Sequence, residues 1–149
     1  VDAWAENPSA VTALTEATVA KAAGTLTGML EQRPPLYSAK KVEGVKAYAA
    51  ARKGADIKLR TSTVTVDKFR VDRVVAKEAD GHPVFDVDVT IHCSKGTYIR
   101  SLARDLGDAL GVGGTLTALC RVSSGDFHVD HAWSVDALVA ELNRDRTTS

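Results

Sequence analysis

The chain has 149 residues, 44% of them apolar, with 19 basic residues against 19 acidic ones, enough for one globular domain with a core of its own. No apolar run approaches the roughly 20 residues that a bilayer span requires, and Val1-Asp2-Ala3-Trp4-Ala5-Glu6-Asn7-Pro8 lacks the basic start and apolar stretch of a secretory leader. A cytosolic (cytoplasmic) location is therefore expected. Cys93 and Cys120 each lie on an apolar, strand-like run and read as buried free thiols rather than a disulfide framework. The absence of an initiator Met suggests a fragment or a processed product.

Thr15 is placed to cap a helix running to about Leu26, with Val19, Ala22, Ala23 and Leu26 on one face and Gly28 ending it. Pro34-Pro35 forces extended chain. A second helix is expected from Gly44 or Val45 to Lys53, closed by Gly54, within one long excursion between more regular elements. Val64 and Val66 share one parity and Phe69 and Val71 the other, so this strand must contain a bulge or a bend. Asp80-Gly81-His82-Pro83 then turns the chain into a second strand, where Phe85, Val87, Val89, Ile91 and Cys93 alternate with Asp86, Asp88, Thr90 and His92.

From Tyr98 to Leu110 the period becomes helical, with Ile99, Leu102, Ala103, Leu106 and Leu110 on one stripe. Gly111, Gly113 and Gly114 break it. Leu116, Ala118, Cys120 and Val122 alternate as a further strand, with Leu119 on its opposite face. Ser124-Gly125-Asp126 turns the chain, Phe127 and Val129 continue it, and Ser134 caps a terminal helix with Val135, Leu138, Val139 and Leu142 inward. Residues 144–149 are expected to fray. The pattern is α+β, without repeats or low-complexity tracts.

Two regions carry the functional signal. Between Arg33 and Arg60 eight basic residues face two acidic ones, a net +6, whereas from Val122 onward two basic residues face five acidic ones, a net −3. A basic stretch carrying Tyr37 and Tyr48 fits a phosphate backbone with stacking platforms; a solvated, lysine-rich connector is the alternative. The second region is His92-Cys93-Ser94-Lys95-Gly96-Thr97-Tyr98-Ile99-Arg100, a strand-to-helix turn. There Lys95, Arg100 and the first-turn amides can converge on an anion.

Other chemistries are weaker. His128 and His131 lack the Cys or carboxylate pattern that would complete a zinc site, so no metal is expected. Ser94-Lys95-Gly96 lacks the spacing of a phosphate loop. Ser123, Ser124 and His128 stand in a polar turn with no nucleophile elbow. Asp86 and Asp88 share one strand face and read as its solvent side.

Three segments, in order, resemble one family: Gln32-Arg33-Pro34-Pro35-Leu36-Tyr37-Ser38-Ala39-Lys40-Lys41-Val42-Glu43-Gly44 with Tyr48 and Ala51-Arg52-Lys53-Gly54; His92 to Gly107; and Leu110-Gly111-Val112-Gly113-Gly114 through Leu119 and Arg121. They are similar to the central and C-terminal part of the catalytic domain of the bacterial TruB family of tRNA pseudouridine synthases. The resemblance implies an α+β fold with a mixed, mostly antiparallel sheet and flanking helices. It makes residues 1–149 an incomplete catalytic domain, with 33–60 as an RNA-gripping insertion. The implied reaction converts the T-loop uridine, position 55 of tRNA, to pseudouridine without metal or organic cofactor. The base is flipped out and attacked by an aspartate nucleophile.

Position by position, Arg100 matches the arginine that pairs with that aspartate, Tyr98 an aromatic beside it, and Leu119 an apolar wall of the uracil pocket. Lys95, Tyr37, Lys40, Lys41 and Arg52 are the implied contacts to the tRNA T-arm. The aspartate itself belongs to a G-x-L-D-P motif that the chain does not contain. Ala23-Gly24-Thr25-Leu26-Thr27-Gly28 mimics that motif with Thr27 in place of Asp, but at the wrong place in the order. These residues alone are thus expected to be inactive, and to need another copy, the missing half or a substitute against an uncovered sheet edge, where self-association is the risk. The competing functional class is a non-catalytic RNA-binding or tRNA-folding module.

Overall fold

A computed structural model of the chain describes residues 8–35, 41–42, 45–46 and 61–147. Two helices, α1 (Pro8–Thr12) and α2 (Glu16–Gly24), precede the strand β1 (Gly28–Gln32). Two-residue strands β2 (Lys41–Val42) and β3 (Val45–Lys46) pair with each other, and the long strands β4 (Ser62–Ala79) and β5 (His82–Cys93) lead into helix α3 (Ile99–Ala109). The chain forms two compact units, Val1–Leu116 and Thr117–Ser149.

Thr15 caps α2 as the sequence predicts, in a reciprocal box: its hydroxyl accepts from the Thr18 N–H at 3.2 Å and the Thr18 hydroxyl accepts from the Thr15 N–H at 2.9 Å. The helix ends at Gly24 rather than near Leu26. Gly28 opens β1 instead of ending the helix, and neither β1 nor α1 is marked by the sequence periodicity. Five residues, two of them Gly and Gln, are too few for alternation to register.

The sheet of the first unit has the order β1-β4-β5 and is antiparallel throughout, and so are the other ladders among the described residues. The mixed component expected of the family is thus absent from these residues. β4 holds the bulge its sequence demands and a second one: the register with β5 shifts between Val66 and Lys68 and again between Val71 and Arg73. Each shift leaves an aspartate, Asp67 or Asp72, as the extra residue, and each restores the apolar side chains to one face. Val64 and Val66, then Phe69 and Val71, stay on the helix side in this way. The Asp80-Gly81 turn closes the hairpin with both residues in the left-handed region, the type I′ geometry that such a pair favours.

α2 and α3 cover that face. Ala23, Val66, Phe69, Leu102 and Leu106 form the buried cluster, flanked by Leu26, Leu30, Val89, Ile91 and Ile99. The opposite face is solvent: Arg73 pairs with Asp88, and Lys77 with Asp86, as expected of the two aspartates. The Thr90 hydroxyl and the Arg70 guanidinium, each 2.5 Å from the Asp72 carboxylate, hold that carboxyl below its ordinary range. β5 has no further strand beside it among the described residues.

The second unit departs most from expectation. Residues 117–121 form no strand, because a backbone in strand conformation needs a partner and no ladder runs beside them among the described residues, whereas the Val122 carbonyl accepts from the Val129 N–H at 2.8 Å across the hairpin that follows. Cys120 is accordingly exposed, not buried, while Cys93 is half-buried; both are free thiols. The turn expected at Ser124-Gly125-Asp126 closes a minimal hairpin, β6 (Ser123–Ser124) with β7 (Phe127–His128), and Val129 starts a short 3-10 turn instead of continuing the strand.

The Ser134 hydroxyl accepts from the Ala137 N–H at 3.1 Å and opens helix α4 (Val135–Thr147). The tail expected to fray from Arg144 is helical to Thr147, with Arg144 paired to Glu141 one turn back. Val135, Leu138, Val139 and Leu142 are exposed rather than inward, since a unit shorter than about 40 residues cannot enclose a core unaided.

Candidate functional site

The site is built where β5 gives way to α3. Ser94 adds one more rung to the β4–β5 ladder: its N–H donates to the Thr65 carbonyl at 2.8 Å, and its hydroxyl accepts from the Thr65 N–H at 2.9 Å. The Thr97 hydroxyl donates back to the Ser94 carbonyl at 2.7 Å and closes the turn. Tyr98 then stands at the N-cap of α3 with extended backbone and no capping bond from its own side chain.

The N-cap is supplied from elsewhere. Gln32, at the end of β1, accepts from the Tyr98 N–H through Oε1 at 2.8 Å and donates to the Tyr98 carbonyl through Nε2 at 3.2 Å. Within the first turn of the helix, the Ser101 hydroxyl donates to the Arg33 carbonyl at 2.9 Å. Gln32 and Ser101 are each only 1% exposed, so these bonds form away from competing water and their loss would strand buried polar groups. Gln32 also sits opposite Ser62 in the β1–β4 register. The basic segment between Arg33 and Thr61 therefore leaves and re-enters the sheet on one rung, and that rung is tied to the turn.

Of the residues singled out by sequence, Lys95, Tyr98 and Arg100 are brought together on this turn and the first turn of α3. Lys95 and Arg100 are exposed and Tyr98 is half-buried. Fewer amides face outward than the sequence implies, since the Tyr98 N–H goes to Gln32 and the N–H groups of Ser101 and Leu102 donate to the Tyr98 carbonyl. Leu119 is 64% exposed in the irregular stretch of the second unit. Lys41 lies in β2, and the helix expected from Gly44 or Val45 is replaced at its start by β3. Tyr37, Lys40 and Arg52, with the rest of that expected helix, lie outside the described residues.

Gln32 and Ser101 were not legible as site residues. The available signal was a polar side chain on the inward parity of Gly28 and Leu30, immediately before Arg33-Pro34-Pro35. Among the described residues no group of three or more His, Cys, Asp or Glu side chains could hold a metal ion, and no described helix is long and apolar enough to cross a membrane. His128 and His131 do approach, with ring centroids 6.3 Å apart. His128 is occupied by Asp130, whose N–H donates to its Nδ1.

Comparison with known proteins gives the family of the chain. Residues 2–99 match the N-terminal domain of the TruB family of pseudouridylate synthases, and residues 100–148 match the C-terminal domain of tRNA pseudouridylate synthase B. The chain belongs to the TruB family. Among its relatives, the tRNA pseudouridine synthase B of Arthrobacter sp. (strain FB24) is 48% identical over 130 residues, which is 87% of this chain and 42% of that protein. That of Mycobacterium leprae (strain TN) is 47% identical over 132 residues, 88% of this chain and 41% of that protein. The chain thus spans less than half the length of these relatives. A chain in a crystal structure of a Cbf5-Nop10-Gar1 complex superposes with a TM-score of 0.52 at 29% identity, covering 78% of this chain and 28% of that one. The likeness supports an α+β pseudouridine synthase fold.

The boundary between the two matched TruB domains falls between Ile99 and Arg100, inside the first turn of α3. It is not a structural boundary, because α3 continues into the core through Leu102 and Leu106. The compact first unit of this TruB chain ends later, at Leu116.

Proposed function

We propose that the polypeptide carrying this chain isomerises the T-loop uridine of tRNA to pseudouridine, with the Ser94–Arg100 turn facing the flipped base. Arg100 pairs through its planar fork with a nucleophilic aspartate supplied from outside these 149 residues. Tyr98 stands beside that pair, and Leu119 contributes an apolar wall. Lys95 and the basic segment, through Tyr37, Lys40, Lys41 and Arg52, hold the T-arm backbone. The aspartate attacks, the glycosidic bond to nitrogen breaks, the base turns, and carbon 5 joins the ribose, displacing the aspartate as a free carboxylate while the hydrogen of carbon 5 leaves as a proton. No cofactor is required, and the reaction belongs in the cytoplasm.

What supports this reading is the rung at Gln32 and Ser62: it roots both ends of the basic segment beside the turn that carries Arg100. A backbone-gripping segment and a base-handling turn need such a common anchor. These residues alone are expected to bind tRNA without turnover. The edge of β5 that no described strand pairs with is where we expect the rest of the polypeptide, or a second copy, to add.

Tritium release from tRNA labelled at carbon 5 of uridine tests the proposal. The product of the whole reading frame that contains this chain is expected to release label and form pseudouridine at the T-loop. Tight tRNA binding without release would favour the non-catalytic alternative.

A further inference from the structure

We infer that Gln32 is a positioning residue that fixes the Tyr98–Arg100 backbone for the isomerisation, an inference resting on the function proposed above. A primary amide carries its acceptor and its donors on separate atoms of one plane, so it can accept from a backbone N–H and donate to the carbonyl of the same residue, as a neighbouring strand would. Gln32 does both to Tyr98, across 66 residues of sequence. Its oxygen takes the N–H of a cap residue whose own side chain makes no capping bond. Its nitrogen adds a third donor to a carbonyl that already accepts from Ser101 and Leu102. The cap residue's position and peptide plane are thereby set from β1, and Arg100 follows two residues later on a helix whose next turn is locked into the core by Leu102. The other end of the turn is fixed independently by the Ser94–Thr65 pair. Removing the amide therefore loosens the Tyr98 end of the turn, where the Ser101–Arg33 bond remains, and leaves the sheet register intact.

The test uses the full reading-frame product with Gln32→Met, which preserves length and apolar volume but cannot make the paired bonds. For the folded fraction, kcat on tRNA is expected to fall by about tenfold to a hundredfold, the scale of a small displacement of a reacting group. KM is expected to stay within about twofold, because phosphate contacts do not depend on the amide. In the same protein the Tyr98 amide should exchange faster with deuterium while those of Val66 to Val71 stay unchanged; a purely global destabilisation would move all of them and leave kcat per folded molecule intact. If Gln32→Met does not fold, Gln32→Asn, polar but one methylene short of Tyr98, takes its place with the same expectations. An active wild type with an unaltered kcat in the variant overturns the positioning role alone. An inactive wild type that binds tRNA overturns the isomerase reading and the positioning role with it.

Discussion

Replacing Arg100 by lysine in the full reading-frame product is expected to slow single-turnover pseudouridine formation by about two to three orders of magnitude. Arg100 occupies the first turn of α3 and is exposed, at the end of the helix where the macrodipole disfavours a cation. The helix dipole therefore gives no reason for a cation at this position. Lysine keeps the charge and loses the planar pair of donors that matches a carboxylate. Once the aspartate and the RNA cover Arg100, breaking such a buried pair costs about 3–5 kcal/mol; lysine, which keeps the charge, is expected at the lower end, and each 1.36 kcal/mol is about a tenfold change in rate. The melting temperature should stay close to that of the wild type, and tRNA affinity should change only a few-fold. A variant that turns over at the wild-type rate would remove Arg100 from the chemistry.

Gly107→Ala should destabilise the first unit more than any other single methyl addition near the site. A Cβ built at Gly107 meets the Gly113 carbonyl carbon at 2.1 Å and the Gly114 nitrogen at 2.2 Å. Both are backbone atoms and cannot rotate away. The same loop is held to the helix by the N–H groups of Val112 and Gly113, which donate to the Gly107 carbonyl at 3.0 and 3.1 Å. Moving the loop to admit the methyl group breaks those bonds as well. Overpacking alone costs about 1–3 kcal/mol, so the total is expected at or above the upper end, with a fall of roughly 10 °C in melting temperature for a unit of this size. Gly24→Ala, where a Cβ meets nothing within 4 Å, is the control and should melt like the wild type. Equal melting of the two variants would contradict the close approach of loop and helix.

The long strands and α3 were legible because their sequences are redundant. The parity switch from Val66 to Phe69 predicts the first bulge, and Asp80-Gly81 predicts its hairpin turn. The second bulge at Asp72 hides in the alternation beyond Val71, where no side chain of the described ribbon is fully buried to mark the inner face. Leu116 to Val122 alternates as cleanly as β5 does, yet forms no strand. Alternation reports which face could be buried, while pairing depends on a neighbour that a single segment cannot specify. The strand-to-helix turn that carries Tyr98 and Arg100 was readable from the change of period. Gln32 was not, because its role depends on a residue 66 positions away.

Hydrogen–deuterium exchange of the full reading-frame product, with and without a T-arm hairpin of tRNA, tests the central claim most directly. Two segments should slow on RNA binding: the peptide spanning His92 to Ser101, and the basic segment rooted at Gln32 and Ser62. Binding that slows exchange elsewhere and leaves His92 to Ser101 unchanged would contradict the assignment of this turn to the RNA.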